Sequence, residues 1–110
     1  MKNNNDLLYG GIEGGGTKFV CAVGTGPDNV LAEARFPTTT PEETMTQAVD
    51  FFKQQEATLG RISSIGFASF GPLDPNPDSK TYGHILPTPK PGWTNSNVLG
   101  YLSSAFDIPI

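Results

Sequence analysis

The sequence predicts an α/β domain, and three observations carry that prediction. Three short apolar runs separated by glycine-rich turns open the chain, a helix with strong start signals follows, and then comes an apolar run with little charge. Links of a few residues join antiparallel strands, whereas a return through a helix brings the next strand in parallel.

Leu7-Leu8-Tyr9-Gly10-Gly11-Ile12 reads as the first strand and Thr17 to Gly24 as the second, returning from a glycine turn. Gly24-Thr25-Gly26-Pro27-Asp28-Asn29 is a second turn, dense in glycine, proline and Asx residues. In the third strand, Val30 to Phe36, the residues Ala32, Ala34 and Phe36 share a face opposite Glu33 and Arg35, as expected of a strand with one wet side. Thr40-Pro41-Glu42-Glu43 then supplies a threonine cap, proline at the first helical position and glutamate three residues after the cap. Met45, Val49 and Phe52, with Ala48 between, repeat at helical spacing, and their burial contributes roughly 5 to 8 kcal/mol as an upper figure. Gly60 ends the helix, and Ile62 to Phe70 reads as a central strand.

Beyond it six of the chain's ten prolines gather between Pro72 and Pro91, so this part is expected to be a shaped loop. Lys80 to Leu86 is expected to form a short extended segment. Pro87-Thr88-Pro89-Lys90-Pro91-Gly92-Trp93 is stiff enough to present Thr88, Lys90 and Trp93 in a preset arrangement. A tryptophan in such a setting packs on a sugar or a partner, or plugs its loop into the core; the sequence leaves both open. A second helix is predicted from Asn97, with Val98, Leu102 and Phe106 on one stripe and Gly100 weakening it slightly, and Asp107 to Ile110 starts another strand.

Composition narrows the function classes. The 110 residues, 36% hydrophobic and 16% charged, suit one globular domain. A net charge of −4 with seven dispersed basic residues argues against non-specific nucleic-acid binding. Cys21 has no disulfide partner and lies in an apolar run, which makes it a packed core thiol. The lone histidine, His84, has no motif neighbour and reads as structural. There is no apolar segment of membrane-spanning length, and residues 1–6 lack the apolar run of a signal peptide, so a cytoplasmic location is expected.

The stretch that carries chemistry is Gly10 to Lys18, in which five of nine residues are glycine. Glycines that take positive φ or admit a close ligand can turn successive N–H groups toward one anion; Thr17 adds a hydroxyl and Lys18 a mobile positive charge. Glu13 beside a phosphate would be repelled by roughly 4 kcal/mol at about 4 Å and an effective dielectric of 20. A Mg²⁺ ion or its water shell resolves that conflict. The stretch is not a P-loop, because threonine precedes lysine and a strand follows, and not a dinucleotide fingerprint, because the third glycine position from Gly14 is Phe19. A glycine-rich hairpin with no ligand remains the alternative. Gly71, at the end of the fourth predicted strand, lies where open α/β sheets gather ligands, and a plain turn is the alternative there.

Gly11-Ile12-Glu13-Gly14-Gly15-Gly16-Thr17-Lys18, Ile65 to Asp74, and Lys80-Thr81-Tyr82-Gly83 with Thr88 to Trp93 together resemble the ROK family of sugar kinases, in its fructokinase branch. The resemblance runs over nearly the whole chain past Tyr9, and Gly14 stands where that branch commonly has alanine. It implies the N-terminal lobe of the actin-like ATPase (ribonuclease H-like) fold over residues 1–110, with the second lobe outside them. It also implies transfer of the γ-phosphoryl of Mg·ATP to a hexose hydroxyl, fructose being favoured over a broader hexose range. Gly15, Gly16, Thr17 and Lys18 would meet the ATP phosphates and Glu13 the Mg²⁺ or its waters. Gly71, Thr88, Lys90 and Trp93 would shape the sugar pocket. The family's catalytic aspartate and zinc-binding Cys/His segment are expected beyond Ile110, so Asp74, Asp78 and Asp107 are not assigned as the base and the 110 residues alone are expected to be inactive. A homo-oligomer is implied for the full-length kinase. The family also holds sugar-responsive regulators with a DNA-binding domain ahead of this fold, for which the six residues before the first strand are too few. A lone binding module is the remaining alternative.

Overall fold

The computed structural model describes residues 7–69, 71, 73–88 and 90–110. The expected strand end at Phe70, the loop residues Pro72 and Pro89 and the leader 1–6 lie outside the described residues. Strands β1 (Leu8–Gly14), β2 (Lys18–Gly26) and β3 (Asn29–Pro37) come first, followed by helix α1 (Pro41–Leu59), strand β4 (Ile62–Ser69) and helix α2 (Val98–Ala105). The sheet order is β3-β2-β1-β4, with β1–β2 and β2–β3 antiparallel and β1–β4 parallel. The short turns and the helical crossover dictate that mixture.

Period-two patterning selects the face on which α1 lies. Leu8 and Ile12 of β1, Phe19, Cys21 and Val23 of β2, and Ile62 and Ile65 of β4 are buried there. Gly10 sits among them, and a Cβ on it would lie 2.9 Å from Phe52 Cε1 of α1. Its bare backbone thus seats the helix on the sheet. The helical stripe differs from the expected one: Met45, Ala48, Phe51 and Phe52 are buried together with Thr44, while Val49 is only half-buried. Burial pushes the Cys21 thiol up to about 12, as expected for a packed core thiol.

Helix α1 begins as predicted, with Thr40 Oγ1 accepting from Glu43 N at 3.2 Å and Pro41 in the first turn. The reciprocal half of the capping box takes another form, the Thr40 hydroxyl donating to Glu43 Oε1 at 3.1 Å. The helix closes at Gly60, whose φ of 109° lies in the region that glycine alone adopts easily.

Three sequence expectations are corrected. β4 is the last strand of the described sheet, not a central one; beyond its pairing with β1, Ile65 N–H donates to Pro109 O at 3.0 Å. Residues 107–110 are in no strand among the described residues and make this one backbone bond to β4. Residues 80–86 are mostly turn, with isolated bridges only at Leu73–Ile85 and His84–Asn97. Asp74 explains the turn: its carboxylate accepts from Thr81 Oγ1 at 2.6 Å and from Asn76 N at 3.0 Å, and its backbone bonds both His84 O and Gly83 N. His84 serves the same loop, its Nδ1 lying 3.0 Å from Asn95 O.

Gly100, which reads from sequence as a weak point of α2, has a packing reason. The side chain of the N-cap Asn97 folds over it, with Oδ1 accepting Gly100 N–H at 3.0 Å, and a Cβ at residue 100 would lie 2.3 Å from Asn97 Nδ2. Glycine to alanine inside a helix ordinarily gains up to about 1 kcal/mol, and loss of an Asn cap costs about 1 kcal/mol. Gly100→Ala is therefore expected to leave stability within about 0.5 kcal/mol of the parent in urea melts, with Asn97→Ala costing less in that background than in the parent. A gain of about 1 kcal/mol from Gly100→Ala would contradict this account of the cap.

Candidate functional site

Parallel pairing brings the carboxyl ends of β1 and β4 together, with Gly14 opposite Ser69. The glycine turn 15–17 leaves one strand end and the segment beginning near Gly71 leaves the other. The two stretches that the sequence singles out for chemistry thus arise side by side at the end of the sheet where α/β folds bind ligands.

The glycines of the turn divide by role. Gly15 closes the hairpin, its N–H donating to Lys18 O at 2.9 Å; a Cβ on it would lie 2.7 Å from that same oxygen. Gly14 packs on the Phe19 ring, whose Cζ would be 3.0 Å from an added Cβ. Gly16 has no such reason, since a Cβ there would meet nothing within 4 Å. None of the three has positive φ. Of the two uses of glycine, positive φ and close approach, the turn therefore relies on the second: the glycines at 14 and 15 allow close approach of protein atoms, and the one at 16 leaves open space outside.

Thr38 fixes the inner side of the turn. Buried at the end of β3, it donates its hydroxyl to Gly15 O at 2.6 Å and its N–H to Thr17 O at 2.9 Å. The N–H groups of Gly16 and Thr17 make no hydrogen bond among the described residues, and Thr17 and Lys18 are exposed. Glu13 is exposed on the sheet face that also carries Val20, its partner in β2. Alternation along β2 puts Lys18 on that same face. Among the described residues neither Glu13 nor Lys18 has an ionic partner, and the one ion pair there is Arg35–Glu33 at 3.0 Å. The turn therefore offers two backbone donors, a hydroxyl, a free ammonium and a free carboxylate, a set that fits a polyphosphate whose cation the carboxylate helps to hold. The described residues contain no cluster of three His, Cys, Asp or Glu side chains, so a cation would draw on Glu13 with ligand oxygens or water.

Gly71 and Thr88 are brought together, a Cβ on Gly71 lying 3.4 Å from Thr88 Cβ. Lys90 joins them through its N–H, 3.4 Å from Thr88 Oγ1. Thr94 Oγ1 closes the loop on both sides of Thr88, accepting from its N–H at 3.1 Å and donating to its carbonyl at 3.2 Å. The Trp93 side chain does not join that set. Its ring is fully buried, tilted against Phe19 at 5.6 Å, and its Nε1 donates to Thr39 O at 2.9 Å. An enclosed indole has no face for a sugar, so its assignment to the pocket lining is corrected to that of the plug that anchors the loop.

Sequence reasoning missed Thr38, Thr39 and Thr44. Thr44 is fully buried and its Oγ1 accepts Thr39 N–H at 2.9 Å. The run Thr38-Thr39-Thr40 was the available signal, but only its last residue has a local role that a capping pattern can reveal.

Comparison with known proteins agrees with this geometry. The ROK family model matches residues 9–110. A fructokinase of Lactococcus lactis subsp. cremoris is 50% identical over 104 residues, 94% of this chain and 34% of the relative. A fructokinase of Zymomonas mobilis subsp. mobilis is 45% identical over 111 residues, 100% of this chain and 36% of the relative. The chain thus spans about a third of the length of the relatives it matches. Among solved structures, a ROK hexokinase from Thermus thermophilus superposes with a TM-score of 0.72 at 25% identity, over 94% of this chain and 33% of that one. The sheet and its flanking helices are those of the N-terminal lobe of the actin-like ATPase fold. A mixed sheet with the glycine turn and the Gly71 segment at one end, matched along residues 9–110 by the family model, places the chain in the ROK family.

Proposed function

We propose that this chain is the phosphate-binding lobe of an ATP-dependent hexose kinase, with fructose as the acceptor. The observation that carries the reading is the open backbone at Gly16 and Thr17, held from behind by Thr38 and set beside the Gly71 segment at the paired ends of β1 and β4. The fructokinase names of relatives 45% to 50% identical support fructose.

In this reading the N–H groups of Gly16 and Thr17, the Thr17 hydroxyl and the Lys18 ammonium hold the phosphates and Glu13 orders Mg²⁺ or its waters, the ion supplying charge neutralisation for phosphoryl transfer. Gly15 acts through the geometry it closes, while Gly16, Thr17 and Lys18 face the ligand. Gly71, Thr88 and Lys90 border the acceptor hydroxyl. The hydroxyl must lose its proton as it bonds to phosphorus, and Asp74, the carboxylate that follows the Gly71 segment, is a poor candidate to take it. Hydrogen bonds from Ser79, Thr81 and the Asn76 N–H hold the Asp74 carboxyl below its usual range, which weakens it as a base. In this reading the base lies in the part of the kinase beyond Ile110. The same reading includes zinc bound outside these residues, a homo-oligomer and a cytoplasmic location; no helix of the described residues is long and apolar enough to cross a membrane.

The complete kinase, assayed with ATP, Mg²⁺ and a panel of hexoses, is expected to phosphorylate fructose most efficiently. Turnover of glucose or mannose in its place would keep the kinase and change the acceptor, a shift that few pocket contacts can produce. No phosphorylation of any hexose would overturn the reading.

A second prediction isolates the turn. Gly16→Ala adds a methyl to open space at a residue with ordinary φ, so stability is expected to hold or rise by about 0.4–1 kcal/mol. The ATP KM is expected to rise about tenfold or more, equivalent to about 1.4 kcal/mol of lost binding. An unchanged ATP KM in a folded variant would show that phosphate does not approach this residue.

A further inference from the structure

We propose that Thr38 and Trp93 are positioning residues that join the phosphate turn and the 88–96 loop into one unit, so that occupancy of the acceptor site raises affinity for the nucleotide and the reverse. The inference rests on the kinase reading and deepens it by adding a linkage between its two substrates.

The connection runs through two consecutive residues. Thr38 takes up the carbonyls of Gly15 and Thr17, through its hydroxyl at 2.6 Å and its N–H at 2.9 Å. Thr39 follows with its N–H on Thr44 Oγ1 and its carbonyl on the Trp93 indole, each at 2.9 Å. A second path runs by packing, since the Trp93 ring lies against Phe19, the residue after Lys18. On the loop side, Ser96 N and Oγ donate to Trp93 O at 3.1 and 2.7 Å, and Trp93 N donates to Lys90 O at 3.3 Å. Lys90 in turn touches Thr88, the residue packed on Gly71. Every link from the turn to Thr88 is a hydrogen bond or a ring contact, with Thr38, Thr44 and Trp93 buried. Breaking a bond of Thr38, Thr44 or the Trp93 indole would leave a polar group of a buried side chain unpaired, so loop and turn shift together.

A ligand that orders the loop therefore orders the turn in advance, and the second ligand meets a prepared site. Such coupling is reciprocal in equilibrium binding. Adjacency alone does not transmit energy, which makes the coupling factor the quantity to measure.

The test uses the complete kinase and calorimetry of a non-hydrolysable ATP analogue with Mg²⁺, with and without saturating fructose. Fructose is expected to tighten binding of the analogue about fivefold or more in the wild type, the lower end of usual coupling factors. Trp93→Phe keeps a ring against Phe19 and removes the indole N–H; Thr38→Val keeps the shape and removes the hydroxyl. Each is expected to reduce the factor below about twofold, and the double variant to lose no more than either single one. Thr38→Ser is expected to restore it. A merely structural role would lower the melting temperature of these variants and leave the factor unchanged, so either variant that folds decides the matter. A wild type that phosphorylates fructose without this synergy, or variants that keep it, would overturn the coupling alone. A wild type that phosphorylates no hexose would overturn the kinase reading and the coupling with it.

Discussion

The structure depends on how tightly the stretch between β3 and α1 is held. Thr38 carries two bonds to the glycine turn, Thr39 one to Thr44 and one to the Trp93 indole, and Thr40 caps the helix. Three neighbouring residues thereby set the shape of the turn, the start of the helix and the seat of the loop. Each bond is modest in net worth, about 1 kcal/mol, but leaving a polar group of the buried Thr38, Thr44 or Trp93 unpaired costs more than that. The segment has one arrangement that satisfies all of them, which is why a glycine-rich turn at a strand end can be held in a defined shape.

That constraint gives the turn its chemistry. With its inward carbonyls occupied by Thr38, the turn directs its remaining polarity outward as N–H, hydroxyl and ammonium groups. Gly15 is glycine because its own hairpin leaves no room, and Gly16 is the residue at which the fold gives no reason for glycine. The difference separates a structural requirement from a ligand's requirement within one motif. The Asp74 carboxylate, by contrast, is occupied as the hub of the loop 74–84.

Much of this was legible in the sequence, because it rests on local pattern. Apolar runs between glycine turns gave the opening strands, and alternation gave the half-buried side of β3; Thr40, Pro41 and Glu43 marked the helix start; and the order of the three motif segments pointed to the family that the comparison then showed. What was not legible depends on contacts between distant residues. The bond from Trp93 to Thr39 spans 54 positions and that from Thr38 to Gly15 spans 23, so no spacing rule relates them. Trp93 illustrates the consequence: sequence left open a sugar platform or a core plug, and the long-range contacts with Phe19 and Thr39 decide for the plug. The stripe of α1 shifted from Val49 to Phe51 because the sheet, and not the helix alone, sets which side chains are covered.

The central claim is that the backbone of Gly16 and Thr17 receives the nucleotide's phosphates. A crystal structure of the complete kinase with Mg²⁺ and a non-hydrolysable ATP analogue tests it most directly. The account predicts phosphate oxygens within hydrogen-bond distance, about 2.7–3.2 Å, of the Gly16 or Thr17 N–H, with Thr38 still bonded to Gly15 O. Phosphates bound elsewhere, with these two N–H groups facing solvent, would contradict it.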